Sequence, residues 1–407
     1  MLDKVFRTVV NRRQWISEVG AVAGGALAAG GVTPAEAAGR DSPARVQLLP
    51  TIRTAASFSL GPTTPIYEAI PFGVFVSGAP TLWARGYQGD GVKVGIVDSG
   101  IDVRHPTLAN SVTLARDFVG DTPDVNDWYW HGTHVAGVIA ADSQQAEGVL
   151  TGVAPHAELL DYRVIGRTGT GQLAHAVAAI YQAVNDGCNV LYLGFGLDQD
   201  TVYLRNAIRR ARQAHVLVVA GAGDLATGGP RNAYPGAYED VVPVMDVDFI
   251  QGATFADDRM VVVGGGPAAP NVLLAHDGGY VVSTAITFDS AIPQFIVASG
   301  ASIAAAYVAG MAAVLLQKMR QRTRRPVSVA CLRAALETTG VSLAPYLDPS
   351  VTVDPSVGFA TFYPELPRRV QLLLPGQVAP LGTGLVQFEL PSLLPLNADS
   401  SNPNSGT

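Results

Sequence analysis

Three side chains whose types act together in nucleophilic catalysis occur at widely separated points of the sequence. They are Asp98 in IVDSGID, His131 in HGTHVAG and Ser302 in GASIAAAYVAG. A serine hydroxyl becomes a nucleophile when a neighbouring imidazole takes its proton and a carboxylate orients that imidazole. Each residue alone has a plainer explanation: a carboxylate that caps a turn, a solvent-facing histidine and an ordinary serine. The chemistry therefore depends on whether the fold brings the three side chains together.

The predicted elements around these residues favour such a meeting. Asp98 ends the apolar run GVKVGIVD, which predicts a buried strand, and open α/β sheets place their sites beyond the carboxyl ends of strands. His131 stands at the start of a predicted helix, and Ser302 directly precedes another, the long and nearly all-apolar segment 303–321. Such a helix is expected to be central and buried. The N–H groups at its start can support a developing negative charge.

Short apolar runs alternate with longer helical patterns from about residue 75 to residue 345, which is typical of parallel βαβ units. Further strands are predicted in AELLDYRVI, CNVLYLG and HVLVVAG, and further helices in LAHAVAAIYQAVNDG and YLRNAIRRARQA. The pattern predicts an α/β fold, a doubly wound and mostly parallel sheet with helices on both faces.

The first 37 residues are typical of an export signal. A basic segment is followed by an apolar run at 19–32, which is shorter than the roughly 20 residues that span a bilayer. An A-x-A-like cleavage site follows at residues 35–37. The pair Arg12 and Arg13 before a weakly hydrophobic segment predicts the twin-arginine route. The alternatives are an ordinary signal peptide and an uncleaved anchor.

Three further regions follow the signal. Residues 38–74 are predicted to be a linker or a short pro-segment, residues 75–345 a catalytic domain, and residues 346–407 a Pro/Leu-rich extension with a polar tail. No segment after the signal is expected to be long and apolar enough to cross a membrane. We therefore predict a protein that acts outside the cytoplasm, in the periplasm or the extracellular space, as a monomer without stable membrane insertion.

Composition excludes several other classes of protein. Hydrophobic residues make up 48% of the chain and charged residues 15%, which indicates a globular protein with a large core. No block of Lys and Arg stands out as a nucleic-acid surface, so we expect no nucleic-acid partner, and the modest net charge of −7 mainly bears on solubility. The two cysteines, Cys188 and Cys331, cannot form a disulfide framework; one bridge or two buried thiols remain, and the thiols are favoured. His134 follows His131 by one turn, but no third metal ligand is evident, so we expect it to pack or cap.

The sequence resembles the subtilase family of serine peptidases from about residue 85 to residue 345. DSGID and HGTHVAG are close to the family's Asp and His motifs, TGVAPHAELLDYRV is similar to the strand after the His helix, and YPGAY resembles a family turn. The order Asp, His, Ser is the order of the catalytic triad in subtilisin itself. The resemblance implies a triad of Asp98, His131 and Ser302, a polypeptide substrate and no cofactor for the chemistry. Calcium sites are common in the family, but the sequence assigns none.

The resemblance also implies two substrate-binding edges. GRTGTGQ resembles the loop whose backbone pairs with an extended substrate, which assigns this role to Gly169, Thr170 and Gly171. The opposite edge aligns with Gly194, Phe195 and Gly196. The Phe195 side chain is expected either to narrow a pocket or to pack into the core.

The sequence departs from the family in three motifs, one of them this second edge, where the family has Ser-Leu-Gly in place of Gly194, Phe195 and Gly196. The family's GTSMAAPHVAG is here GASIAAAYVAG, which keeps the serine and changes its neighbours. The family's oxyanion-hole asparagine is here Asp224 in VVAGAGD. An ionised carboxylate only accepts hydrogen bonds, whereas a protonated one can donate. Asp224 therefore allows a slow enzyme, an acid-shifted enzyme or an inactive scaffold, although some proprotein convertases that resemble this family carry Asp here and are active.

The sequence therefore predicts an exported serine endopeptidase with an impaired oxyanion site. The alternative is a pseudopeptidase of the same fold that binds peptides or a protein partner. A nucleotide-binding enzyme is disfavoured, because GAGDLATGG lacks the G-x-G-x-x-G spacing.

Overall fold

The computed structural model describes most of the predicted catalytic domain and short parts of its flanks. The described residues are 45–47, 57–59, 71–145, 150–223, 234–249, 260–261, 274–279, 281–287, 294–343 and 356–363. The predicted signal at 1–37, Asp224 and the polar tail lie outside them.

Seven α-helices and fifteen strands lie in the part of the chain that the structure describes. The helices are α1 Phe72–Val76, α2 Ala79–Trp83, α3 His131–Ala140, α4 Leu173–Asn185, α5 Val202–Gln213, α6 Ala301–Thr323 and α7 Val329–Glu337. The strands are β1 Arg45–Gln47, β2 Ser57–Ser59, β3 Lys93–Asp98, β4 Val112–Asp117, β5 Glu158–Arg163, β6 Thr170–Gln172, β7 Val190–Leu193, β8 Leu217–Gly221, β9 Val241–Phe249, β10 Met260–Val261, β11 Leu274–Asp277, β12 Val281–Thr284, β13 Gln294–Ala298, β14 Gly340–Ser342 and β15 Gly358–Ala360.

The central sheet has the order β14-β15-β11-β9-β8-β7-β3-β5-β4, and β10 pairs with β9 outside this path. Every neighbouring pair from β15 to β4 is parallel, and only the β14–β15 and β9–β10 pairs are antiparallel. Strands β7 and β8 are apolar along their whole length and all their residues are buried, as expected for a sheet covered on both faces. The predicted doubly wound, mostly parallel α/β fold is confirmed.

Helices pack on both faces of this sheet. Alternate residues of β7 enter two separate apolar clusters, Val190 and Tyr192 on one face and Leu191 and Leu193 on the other. Helices α3 and α6 contribute to the first cluster, and α4 and α5 to the second. The buried residues of α5 recur at intervals of three and four, the spacing of a single apolar face (Leu204, Ala207, Ile208 and Ala211).

Helix α6 runs through the core and is buried on all sides from Ala301 to Lys318. Among the described residues it is the one helix long and apolar enough to cross a membrane, so the expectation that no such segment follows the signal is wrong. Within the structure, however, 94% of its apolar window is buried. Its apolar surface is thus covered by the protein's own core.

The domain continues past residue 345, its end as predicted from the sequence. Strand β15 pairs in parallel with β11 of the central sheet, and Phe359 and Phe362 lie in its core. The Phe362 N–H donates to the Ser77 carbonyl at 2.7 Å, which ties this segment to the start of the domain. The prediction failed because a three-residue strand gives little periodic signal.

Candidate active site

Asp98 is the last residue of β3, at the carboxyl edge of the sheet, and its side chain is fully buried. The Ser99 N–H donates to its Oδ1 at 2.6 Å. The neighbouring strand end makes room for the carboxylate, since a Cβ on Gly194 would lie 1.8 Å from Asp98 Oδ2. Any side chain at residue 194 would therefore collide with the carboxylate. The need for glycine here depends on how close the two strand ends lie in space, and no motif in the sequence indicates it.

His131 is the first residue of α3, and its imidazole faces Asp98. Its Nδ1 lies 2.8 Å from Asp98 Oδ2 and 3.0 Å from Oδ1. Because a carboxylate accepts and does not donate, the proton of the neutral imidazole is placed on Nδ1. Nε2 is then free to accept a proton from another group.

The buried carboxylate of Asp127 holds the start of α3. It accepts hydrogen bonds from the N–H groups of Tyr129 (2.8 Å), Trp130 (2.9 Å) and Thr133 (3.0 Å), and from the Thr133 hydroxyl (2.7 Å). Burial raises the pKa of Asp127, and these hydrogen bonds oppose the rise. Trp130 has φ of 122°, a conformation that non-glycine residues adopt only when their surroundings enforce it. Asp127 thus fixes the unusual backbone directly before His131.

The loop after Asp98 and the start of α3 are in close contact. A Cβ on Gly132 would lie 2.1 Å from the Gly100 carbonyl oxygen, and the Gly132 N–H donates to Ser99 Oγ at 2.9 Å. Glycine in HGTHVAG is therefore required by the close approach of two backbones. This contact fixes the distance between the carboxylate and the imidazole.

Ser302 is the second residue of α6, and its Oγ lies 2.9 Å from His131 Nε2. Gly300 precedes the helix with φ of 142°, which favours glycine. The Tyr192 hydroxyl donates to the Ser302 carbonyl at 3.1 Å and anchors the helix start to β7. Burial raises the pKa of Tyr192 well above its ordinary value, so the phenol stays protonated as a donor. The Ser302 N–H lies in the first turn, where N–H groups have no partner within the helix.

The structure thus brings together the three predicted side chains in one continuous line of hydrogen bonds. A hydroxyl, a base and an orienting carboxylate in this arrangement are suited to acyl transfer. Asp127, Tyr192 and the space at Gly194 complete the arrangement, and none of these three roles was predicted from the sequence. An Asp four residues before the first helical residue is a weak helix-start signal for Asp127; Tyr192, inside an apolar strand, gave no signal.

The predicted substrate edge at Gly169–Gly171 is partly occupied by the chain itself. Strand β1 pairs antiparallel with β6, with Arg45 opposite Gln172, Val46 opposite Gly171 and Gln47 opposite Thr170. At the opposite edge the Phe195 side chain is fully buried in the core beside Gly194. The packing alternative for Phe195 is therefore correct.

His134 packs inside the protein. It is fully buried, its Nε2 lies 3.1 Å from the Val281 carbonyl, and burial lowers its pKa to about 3. No group of three or more His, Cys, Asp or Glu that could hold a metal occurs among the described residues. Cys188 is buried, whereas Cys331 is exposed, and both are free, so the expectation of two buried thiols is wrong for Cys331.

Comparisons with known proteins agree with this geometry. The sequence model of the Subtilase family matches residues 89–359, more than half of the chain. Among similar proteins, the "Major intracellular serine protease" of Bacillus subtilis (strain 168) is 36% identical over 186 residues, 44% of this chain and 58% of that protein. The "Intracellular serine protease" of Paenibacillus polymyxa is 31% identical over 274 residues, 66% of this chain and 79% of that protein. Subtilisin DY of Bacillus licheniformis is 32% identical over 279 residues, 68% of this chain and 93% of that protein. The chain thus spans somewhat over half the length of the first relative and most of the other two.

Proposed function

Because the chain belongs to the subtilase family of serine peptidases, we propose that it is an exported serine endopeptidase that hydrolyses peptide bonds. Subtilases act on polypeptide substrates, and this activity is here assigned to Ser302, His131 and Asp98. The observation that carries the proposal is the line of hydrogen bonds between them. His131 lies 2.9 Å from the Ser302 hydroxyl on one side and 2.8 Å from the Asp98 carboxylate on the other.

The mechanism follows from the roles of these atoms. Ser302 Oγ attacks the peptide carbonyl while His131 Nε2 takes its proton, and the imidazolium then gives that proton to the leaving amine. Water repeats the sequence to release the acyl group. Asp98 keeps the proton of the neutral imidazole on Nδ1 and stabilises the charged form. The Ser302 N–H donates to the oxyanion.

Asp224 is proposed to weaken the other half of the oxyanion site. In subtilisin itself, loss of the corresponding side-chain donor lowers turnover by about a hundred- to a thousandfold. An ionised Asp224 would also repel the oxyanion, whereas a protonated Asp224 can donate to it. We therefore expect a slow enzyme with higher activity at acidic pH.

Residues 38–74 are proposed to be a short pro-segment. Support comes from β1, which lies where an extended substrate would pair with β6. Replacing Val46 or Gln47 with proline tests this role, since neighbouring residues in a strand point their N–H groups to opposite sides. Only one of the two substitutions removes a ladder hydrogen bond. We expect that one to raise the rate of peptide hydrolysis and the other to serve as its control; equal rates for both variants and the wild type would contradict a blocking role.

Export by the twin-arginine route is proposed from residues 1–37. Two of the similar proteins are named as intracellular, so the location of this chain needs a direct test. Replacing Arg12 and Arg13 with lysine should retain the protein inside the cell, whereas the wild type should be found outside, cleaved after Ala37. Wild-type protein that stays inside with an intact N-terminus would contradict export.

A pseudopeptidase that binds peptides or a protein partner is the second candidate. Asp224 and the altered residues around Ser302 favour it. In that case peptides should bind at the β6 edge without being cleaved.

Labelling with a fluorophosphonate serine probe separates the two candidates. The purified protein would be labelled at pH 5 and pH 8 beside Ser302→Ala and Asp224→Asn. An active peptidase should be labelled at Ser302 and faster at pH 8 in Asp224→Asn. No labelling of the folded wild type at either pH would favour the peptide-binding scaffold.

A further inference from the structure

We propose that Tyr129 and Trp130 form a specificity-determining wall that favours a bulky apolar substrate side chain directly before the P1 residue and disfavours an acidic one. P1 is the residue whose carbonyl Ser302 attacks, and the preceding residue is P2. This inference rests on the proposed function for the identity of the attacked carbonyl. It starts from the sequence WYWHGTH, in which three aromatic residues precede His131.

The two rings form a continuous surface between the reacting imidazole and the substrate edge. The Trp130 ring meets the His131 ring edge-on at 5.4 Å between centroids. The Tyr129 ring stacks on Trp130 at 5.7 Å and 28°. At its far side Tyr129 covers Gly169, because a Cβ there would lie 2.6 Å from Tyr129 Cζ and 2.8 Å from its hydroxyl. Both aromatic side chains remain partly exposed.

The direction of the paired strand places P2 at this surface. Strand β1 runs from a position opposite Gln172 to one opposite Thr170, that is, toward Gly169. A peptide that replaces it in the same direction therefore has its residues nearest the scissile bond at the Gly169 end. The attacked carbonyl must reach Ser302, beside His131. P2 is then the residue that passes between Gly169 and the imidazole, along the wall.

The aromatic rings and the nearby charges determine which P2 side chains the wall favours. Aromatic faces gain most from large apolar side chains that cover them. Two carboxylates lie beside the wall: Asp127 accepts from the Tyr129 N–H at 2.8 Å, and Asp98 lies 2.8 Å from His131 Nδ1. Burial and these two charges raise the pKa of Tyr129. The same two carboxylates would repel a negatively charged P2 side chain. Trp128 differs from the two rings of the wall in that the Arg167 guanidinium lies over it, 5.0 Å from its centroid.

Peptide binding to the full-length Ser302→Ala variant tests the wall without requiring catalysis. Fluorescein-labelled peptides would share one sequence with P1 fixed as Ala and differ only at P2 as Leu, Gly or Asp, and their dissociation constants would be measured by anisotropy. Competition by β1 weakens all three peptides by the same factor, so their ratios are unaffected. We expect Leu to bind about tenfold more tightly than Gly, the lower end of discrimination by an apolar pocket. Asp should bind more weakly than Gly.

Variants then locate the discrimination. Tyr129→Ala should reduce the Leu-to-Gly ratio to about twofold, whereas Tyr129→Phe, which keeps the ring, and Trp128→Ala should preserve it. A Leu-to-Gly ratio below twofold in the Ser302→Ala parent, or an unchanged ratio in Tyr129→Ala, would overturn the proposal. Should Tyr129→Ala fail to fold, Tyr129→Leu replaces it.

The wall and the proposed activity fail independently. Discrimination at P2 together with no fluorophosphonate labelling of the wild type would leave the wall standing and reject the peptidase. Labelling at Ser302 together with equal binding of the three peptides would support the peptidase and reject the wall.

Discussion

Replacing Gly194 with alanine would test whether the space at residue 194 maintains the contact between Asp98 and His131. The new Cβ would lie 1.8 Å from Asp98 Oδ2, whereas real Cβ contacts are essentially never shorter than 3.0 Å. The carboxylate must therefore move by more than 1 Å from a position 2.8 Å from His131 Nδ1. Residue 194 does not have a positive φ, so the backbone itself accepts alanine.

The expected magnitude follows from what the carboxylate does. In the chymotrypsin-type enzymes, replacing the triad aspartate with asparagine lowers turnover by about 10⁴-fold, because the imidazole takes the wrong tautomer. A misplacement of about 1 Å in an active site costs about a hundredfold. A displaced Asp98 keeps its charge, so Gly194→Ala is expected to label between about 10² and 10⁴ times more slowly with the fluorophosphonate probe. In the wild type, the His131 Nδ1 proton should give a strongly deshielded NMR signal that the variant loses.

Gly95→Ala is the matched control. It lies on β3 like Asp98, and its Cβ would lie 2.8 Å from the Cys188 Sγ and the Leu191 Cδ1, both far ends of side chains. We expect it to lower the free energy of unfolding by about 1–3 kcal/mol and leave the labelling rate unchanged. The reasoning would be refuted if Gly194→Ala labelled within twofold of the wild type, or if Gly95→Ala slowed labelling as much.

Two further predictions concern buried ionisable groups and stability. Burial lowers the pKa of Lys318 from 10.5 to about 8, with the charges of Arg322 and Arg85 adding to the effect. Between pH 8 and pH 10.5 the unfolded chain therefore binds more protons than the folded one, so stability rises with pH across this range. Lys318→Met should raise the unfolding free energy by about 1–3 kcal/mol at pH 7 but change it little at pH 11. Denaturant unfolding at both pH values checks this; no gain at pH 7, or an equal gain in Arg322→Gln, would contradict it. Burial raises the pKa of Asp161 well above 3.8, and its Oδ1 has no hydrogen-bond partner among the described residues. The folded state therefore binds an extra proton above pH 4, and its stability falls as the pH rises. The gain in unfolding free energy of Asp161→Asn over the wild type should then be larger at pH 8 than at pH 4. The same pH dependence in variant and wild type would argue against a raised pKa.

Local patterns predicted the positions of the three central residues well. Asp98 at a strand end, His131 at a helix start and Ser302 at the start of a buried helix each follow from a periodic run beside them. The nearly all-apolar composition of the segment 303–321 likewise indicated that α6 is central and buried. Such predictions succeed because a helix or strand that buries one face must carry its pattern in neighbouring residues.

Contacts that depend on backbone direction and on distances in space escaped the same reasoning. Asp127 acts on backbone N–H groups whose direction depends on the unusual φ of Trp130, and no residue type encodes that conformation. The pairing of β1 with β6 joins residues more than a hundred positions apart. The role of Gly194 depends on where the Asp98 carboxylate lies. Each of these needs three-dimensional distances, which sequence spacing does not contain.

The altered residues around Ser302 are weak support for a pseudopeptidase, because the largest of them, Tyr307, is accommodated inside the core. Tyr307 stands where the family has histidine, and its ring is buried and stacks on His276 at 4.5 Å between centroids. Opposite the ring is Gly73, where a Cβ would lie 2.3 Å from Tyr307 Cζ. The Tyr307 ring therefore fills space that a side chain at residue 73 would otherwise take. Since Ser302 still lies 2.9 Å from His131 Nε2, the case for impaired catalysis depends on Asp224, and Asp224→Asn is the substitution that decides it.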